Sequence, residues 1–238
     1  QKAFDAVYAS VMEPLIDILK RLGPGAVLVL GLILSYRFAD LVWGAFAFPF
    51  YLGDQHGALH HTNDEVAIAS KVFGSLMTFF GITIGAAAII RFGRMPCLFA
   101  GALLAAATNL LFADLASGGA GIDAFMRTFA LYGIFPALQP LADALTLQVT
   151  IDERLSRLMV VIGAENLAVG FASAAIVAYL SSIVNPRYAA VQYALFASLT
   201  MLIGSLGRGA LGELIEARGF AYVFYLTAAL GLVAVVAS

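Results

Sequence analysis

Residues 158–184 read LMVVIGAENLAVGFASAAIVAYLSSIV. The run is long and apolar enough to cross a bilayer, which takes about 20 residues. Glu165 and Asn166 lie inside it. A carboxylate at the membrane centre costs ~2.5–3.5 kcal/mol, so it normally faces a bundle interior or a watery cavity. Small residues surround the pair: Gly163, Ala164, Ala168, Gly170, Ala172 and Ser173 let a neighbouring helix come close. One helix thus carries a candidate site and a packing seam. Two roles stay open for Glu165–Asn166, a functional pair or a hydrogen-bonded lock between helices.

The composition agrees with a membrane protein. Hydrophobic residues make up 62% of the 238 and charged residues 12%, against roughly 45–50% and 25% in soluble domains. Mean hydropathy is +0.94. The net charge of −2 gives no footprint for nucleic acid. The single cysteine, Cys97, has no intramolecular disulfide partner. The chain opens on Gln1 and shows no signal-peptide pattern, and it is expected to be part of a longer protein.

Residues 2–21 form an expected amphipathic helix, with Phe4, Val7, Tyr8, Val11, Leu15, Ile18 and Leu19 at helical spacing. It reads as a surface helix or a linker helix. Gly23-Pro24-Gly25 ends it. Apolar runs then predict spans at about 26–51, 65–90, 95–115, 158–184, 188–211 and 220–238. Thr62 and Glu65 fit a capping box at the start of the second. His56, His60 and His61 lie in the polar loop before it; zinc would need further ligands at suitable spacing. Residues 116–157 are ambiguous. Phe125 to Val149 is apolar but interrupted by Pro136, Gln139, Pro140 and Asp143, so it reads either as a seventh crossing or as a broken hairpin. Six spans put Lys2, Lys20, Arg21, Arg91, Arg94 and Arg187 on one side and Arg127, Arg154, Arg157 and Arg218 on the other. A seventh span would sharpen that asymmetry, whereas the prolines favour six.

Polar residues within the spans mark candidate functions. Arg37 and Asp40 are neighbours on the first, with Tyr36 and Trp43 nearby; they read as a self-cancelling ion pair or as a cavity wall. Lys71 lies one to two turns inside the second span and reads as snorkelling or as anion-binding. By depth and chemistry, Arg37 or Lys71 suits an anionic group, Asn166 and Gln192 suit hydrogen bonding to a solute, and Tyr36 or Trp43 suits stacking on one. Asp40 or Glu165 suits proton carriage, because a low-dielectric cavity favours the protonated carboxyl. No nucleophile–base pair, metal cluster or phosphate loop points to an enzyme, and no cofactor is expected.

Several stretches resemble AmpG-type muropeptide permeases of the major facilitator superfamily. They are VMEPLIDILKRLG (11–23), SYRFAD (35–40), EVAIASKVFGSL (65–76), AENLAVGFASAAIVAYLSSIVN (164–185), AAVQYALFASL (189–199) and GELIEARGFAYVFYLTA (212–228). The turn GAAAIIRFGRMP (85–96) is similar to a degenerate superfamily loop motif, with Ile90 where an acid is usual. The resemblance implies an all-α membrane protein, a six-transmembrane-helix half of a major facilitator fold. Residues 1–23 would be a cytoplasmic amphipathic linker helix and 24–238 the bundle, with 116–157 as a periplasmic hairpin insertion. It implies import of anhydro-muropeptides by proton symport across the bacterial inner membrane, with an N-terminal six-helix half, absent from this chain, as partner. The alternatives are a permease for another anionic solute, such as an acyl-CoA-type cargo, and a non-transporting scaffold or sensor half.

Overall fold

A computed structural model describes residues 8–25, 29, 31 and 44–237. Among these the chain is all helical and turn. Three of its helices are long and apolar enough to cross a membrane: Asn63–Phe92, Arg94–Ala116 and Glu153–Ile183.

Helix α1 (Glu13–Leu22) follows a π-helical turn at Tyr8–Met12. Glu13 at its start and Lys20 and Arg21 at its end complement the helix dipole. It buries Pro14 and Ile18 and stops at Gly23, whose φ is 53°. Short α2 (Ala47–Leu52) leads into the histidine loop. α3 (Asn63–Phe92) begins with the expected capping box: Thr62 accepts from the Glu65 amide, and Glu65 accepts from the Thr62 amide. Residues Ala67–Gly74 of α3 are π-helical. Gly93, at φ 85°, turns the chain into α4 (Arg94–Ala116).

Residues 117–152 are broken into short pieces: α5 (Ala120–Thr128), 3₁₀ turns at Leu131–Gly133 and Phe135–Leu138, and α6 (Gln139–Ala144). None approaches the ~20 residues a crossing needs. α7 (Glu153–Ile183) starts where Asp152 accepts from the Leu155 amide at 2.8 Å, five residues before the apolar run itself. α8 (Ala189–Ala237) is two helical arms that meet at Gly219, whose backbone is non-helical at φ 79°.

The tightest packing is between α3 and α7. A methyl group on Gly81 would collide with the Leu167 carbonyl, and one on Gly170 with the Thr78 carbonyl. Backbones therefore touch, as small-residue seams in membrane helices permit. The far arm of α8 lies against α4, with Gly231 beside Ala106.

The bundle has two distinct ends. At one, the Phe50 ring lies 5.1 Å from Phe220 and 5.0 Å from Phe224, centroid to centroid, and the His56 carbonyl accepts from the Phe220 amide. Residues 117–152 cap this end. At the other, Ile18 of α1 is buried with Cys97, Leu98, Tyr179, Leu180 and Val184.

Candidate functional site

The polar residues at the α3–α7 crossing form the clearest built arrangement. Asn166 is partly buried. Its amide nitrogen donates to the Ile162 carbonyl at 2.8 Å, and its oxygen accepts from the Thr78 hydroxyl at 3.0 Å. Gly74, the last residue of the π-helical segment, lies alongside the same nitrogen. One N–H of the amide is left over, since the group carries two. Thr78 escaped the sequence reading, although it stands four residues from Gly74 with Gly81 and Gly85 beyond.

Glu165 is half-buried on the neighbouring flank of α7 and within electrostatic range of the Tyr51 phenol. Tyr51 is 5% exposed and packs on Phe50 and Phe112. Lys71 sits on the π-helical segment, a distortion that often accompanies functional positions. Its side chain is exposed, and its ammonium stands 5.5 Å from the centre of the Phe48 ring. Tyr36, Arg37, Asp40 and Trp43 lie outside the described residues.

Gln192 stands apart from this group. It is 1% exposed on the first turn of α8, beside the end of α7, and that end, Ile183, lies roughly 26 Å along α7 from Asn166 at 1.5 Å per residue. Its oxygen accepts from the Asn185 amide at 2.9 Å. Its nitrogen donates to the Pro14 carbonyl at 2.9 Å and to Asp17 at 3.0 Å. Asn185 also donates to Asp17, and Arg21 reaches both Asp17 and the Ile183 carbonyl. Asp17 is the hub. Partial burial pushes its carboxyl up, but the hydrogen bonds from Gln192, Asn185 and Arg21 together hold it below the usual range. The sequence missed Asp17 and Asn185 because neither is anomalous on its own helix.

The capped end holds a second network. Gln139 holds the cap's backbone, accepting from the Ile151 amide and donating to the Val149 carbonyl. Asp64 accepts from the Gln148 amide, and Arg154 donates to the Leu59 and His60 carbonyls. Asp123 takes hydrogen bonds from Tyr132 and Arg127, which hold its carboxyl below the usual range. Burial and that bond push the Tyr132 phenol up to about 12. His61, 6% exposed, meets Glu65 at 2.9 Å. Burial and the Arg154 charge lower its pKa, against the pull of Glu65. His56 and His60 are exposed. Among the described residues no three metal-ligating side chains come together.

No protein-family model matches the chain. It is 27% identical over 224 residues to a protein of Rickettsia conorii named "Putative transporter AmpG 4", covering 94% of this chain and 44% of the relative. The protein of the same name in Rickettsia felis is 27% identical over 226 residues, covering 95% and 45%. "Putative transporter AmpG 3" of Rickettsia prowazekii is 24% identical over 184 residues, covering 76% and 35%. The chain thus spans less than half the length of these relatives. They bear out the resemblance to AmpG-type permeases, and their names are those of transporters rather than enzymes.

Proposed function

We propose that the chain is the C-terminal, six-span half of a major facilitator-type permease that imports anhydro-muropeptides by proton symport across the bacterial inner membrane. The observation that carries the reading is coverage: nearly all of this chain aligns with 44% of an AmpG relative. On the sequence, the apolar run at 26–51 and the two arms of α8 are the three further spans beside α3, α4 and α7. With α1 cytoplasmic, Lys20, Arg21, Arg91, Arg94 and Arg187 share the cytoplasmic end. Of the arginines at the periplasmic end, Arg127 is bound to Asp123 and Glu153, and Arg154 to backbone carbonyls.

In this reading solute binds between the halves near the midplane. Asn166 offers its remaining N–H to a hydroxyl or carbonyl. Lys71 and Arg37 meet carboxylates, Tyr36 and Trp43 stack on a sugar, and Glu165 or Asp40 carries the proton. The Gln192 amide is spent on α1 and Asn185, so the reading does not lean on it.

The test is uptake of labelled anhydro-muropeptide by the complete protein as a function of pH, with Glu165→Gln beside the wild type. The expected result is wild-type uptake that falls as the outside pH rises, and a variant that loses this dependence. Unchanged uptake with unchanged pH dependence removes Glu165 from binding and coupling. Uptake of an acyl-CoA-type anion without any of muropeptide would shift the cargo to that alternative.

A further inference from the structure

Arg157 carries the one buried side-chain nitrogen or oxygen that makes no hydrogen bond among the described residues, its Nε. It sits just inside the start of α7, beneath the glycine turn that follows α4. A Cβ on Gly119 would lie 3.8 Å from its Cδ and Nη1. The carboxylates nearby are committed elsewhere. Asp114 accepts from the Gly121 and Ile122 amides at 3.1 and 2.8 Å. Asp123, within electrostatic range, is held by Tyr132 and Arg127. Glu153 is bound by Arg127 at 2.9 Å. The buried Nε–H is thus left without a bonded acceptor, on a guanidinium that carries four further N–H donors.

Val160, one turn further along α7, lines an apolar groove of about 540 Å³ between α4, α5 and α7, whose wall does not include Arg157 itself. Leu111, Ile122, Phe125, Val160 and Ala164 line it, with the amide-bound Asp114. Arg157, Val160 and Ala164 recur at i, i+3 and i+7, so they share one face of α7. Arg157 is the residue nearest the helix start, and Ala164 lies ~10 Å deeper at 1.5 Å per residue. On the cap above, Phe125 and Phe129 are 50% and 61% exposed, with ring centroids 4.9 Å apart. These exposed phenyl rings are apolar surface beside the mouth of the groove, of the kind an acyl chain covers.

Cation outside, apolar cleft inside and aromatic rings at the rim match an anionic amphiphile in the order head, then tail. We infer that the groove holds one acyl chain of an anionic phospholipid, with its phosphate on the Arg157 guanidinium. The arginine then gains the acceptor that the protein withholds, and the cap is seated against the membrane. The inference needs only a membrane-embedded chain and does not depend on the cargo.

The experiment uses the complete protein, delipidated in detergent. Phosphatidylglycerol, phosphatidylcholine and inorganic phosphate are added separately. Retained lipid is counted by native mass spectrometry, and the melting midpoint is followed. Phosphatidylglycerol is expected to be retained and to raise the midpoint more than phosphatidylcholine. Arg157→Gln is expected to lower phosphatidylglycerol to the phosphatidylcholine level, with Arg157→Lys restoring part of the difference. Ala164→Phe, which fills the groove and leaves the arginine, is expected to lower both lipids. An undiminished preference in Arg157→Gln, unaltered retention in Ala164→Phe, or equal protection by inorganic phosphate would each overturn the assignment. All of these readouts are independent of uptake, so a failed muropeptide assay leaves them intact.

Discussion

Thr78 donates to the side-chain oxygen of Asn166 at 3.0 Å, across a crossing where the α3 and α7 backbones touch. The same hydroxyl lies 3.1 Å from the Gly74 carbonyl, its alternative acceptor. Polar bonds between membrane helices average about 0.6 kcal/mol and reach ~1.7. Thr78→Val is expected to lower stability by about that amount, and Thr78→Ser to restore it. If Asn166 also meets solute, Asn166→Leu lowers uptake by more than its shift in melting midpoint explains. Parallel melting and uptake curves on the variants check both expectations.

The glycine seam predicts a sharp positional contrast. Gly81→Ala places a methyl on the Leu167 carbonyl, and Gly170→Ala places one on the Thr78 carbonyl. Overpacking of this kind typically costs about 1–3 kcal/mol. Gly209→Ala meets open space and should be neutral within ~0.5 kcal/mol. Melting midpoints of the three variants in one detergent measure the contrast.

The Asp17 hub predicts that α1 stays docked. Asp17→Asn removes a charge that Arg21, Asn185 and Gln192 all address. A cysteine placed at buried Ile18 should react slowly with maleimide in the wild-type background and faster with Asp17→Asn. The pH dependence has a definite sign. The folded pKa of Asp17 lies below its unfolded value. Its contribution is therefore full above an unfolded pKa of about 3.9 and is lost as pH falls through the folded value. Labelling after brief acid exposure should rise in that window alone.

His61 has the opposite chemistry. Its folded pKa is lowered by burial and by Arg154, so the folded loop prefers the neutral ring. The unfolded chain takes up a proton near pH ~6.5 and the folded one only below it. Stability of the loop is therefore full above that pH and declines as pH falls through the window beneath it. Protease cleavage between Gly53 and Thr62 should increase on mild acidification, and His61→Asn should remove the increase.

Much of the fold was legible because its signals are local. The apolar runs placed α3, α4 and α7 within a few residues, and Thr62 with Glu65 fixed the start of α3. Asp152, rather than the first apolar residue, sets the start of α7, because a cap completes a turn before the hydrophobic run begins. The cap was not legible. Its ties join residues far apart in sequence, as Asp64 with Gln148, and no periodicity encodes them. Gln192 shows the same gap at the site. A polar residue near an apolar run reads as a cavity residue, whereas its amide is held by Pro14 and Asp17. The π-helical segment carrying Lys71 left no trace in composition.

The glycine contacts between α3 and α7 have a mechanical consequence. Where methyl groups would already collide, sliding one helix along the other by a single residue drives Leu167 or Phe171 into the facing chain. The two helices therefore share one register and turn together as a single lever. Of the glycine turns beyond that pair, Gly93 faces open space and can swing with no side chain to repack, whereas Gly219 is held by the His56 carbonyl beside it.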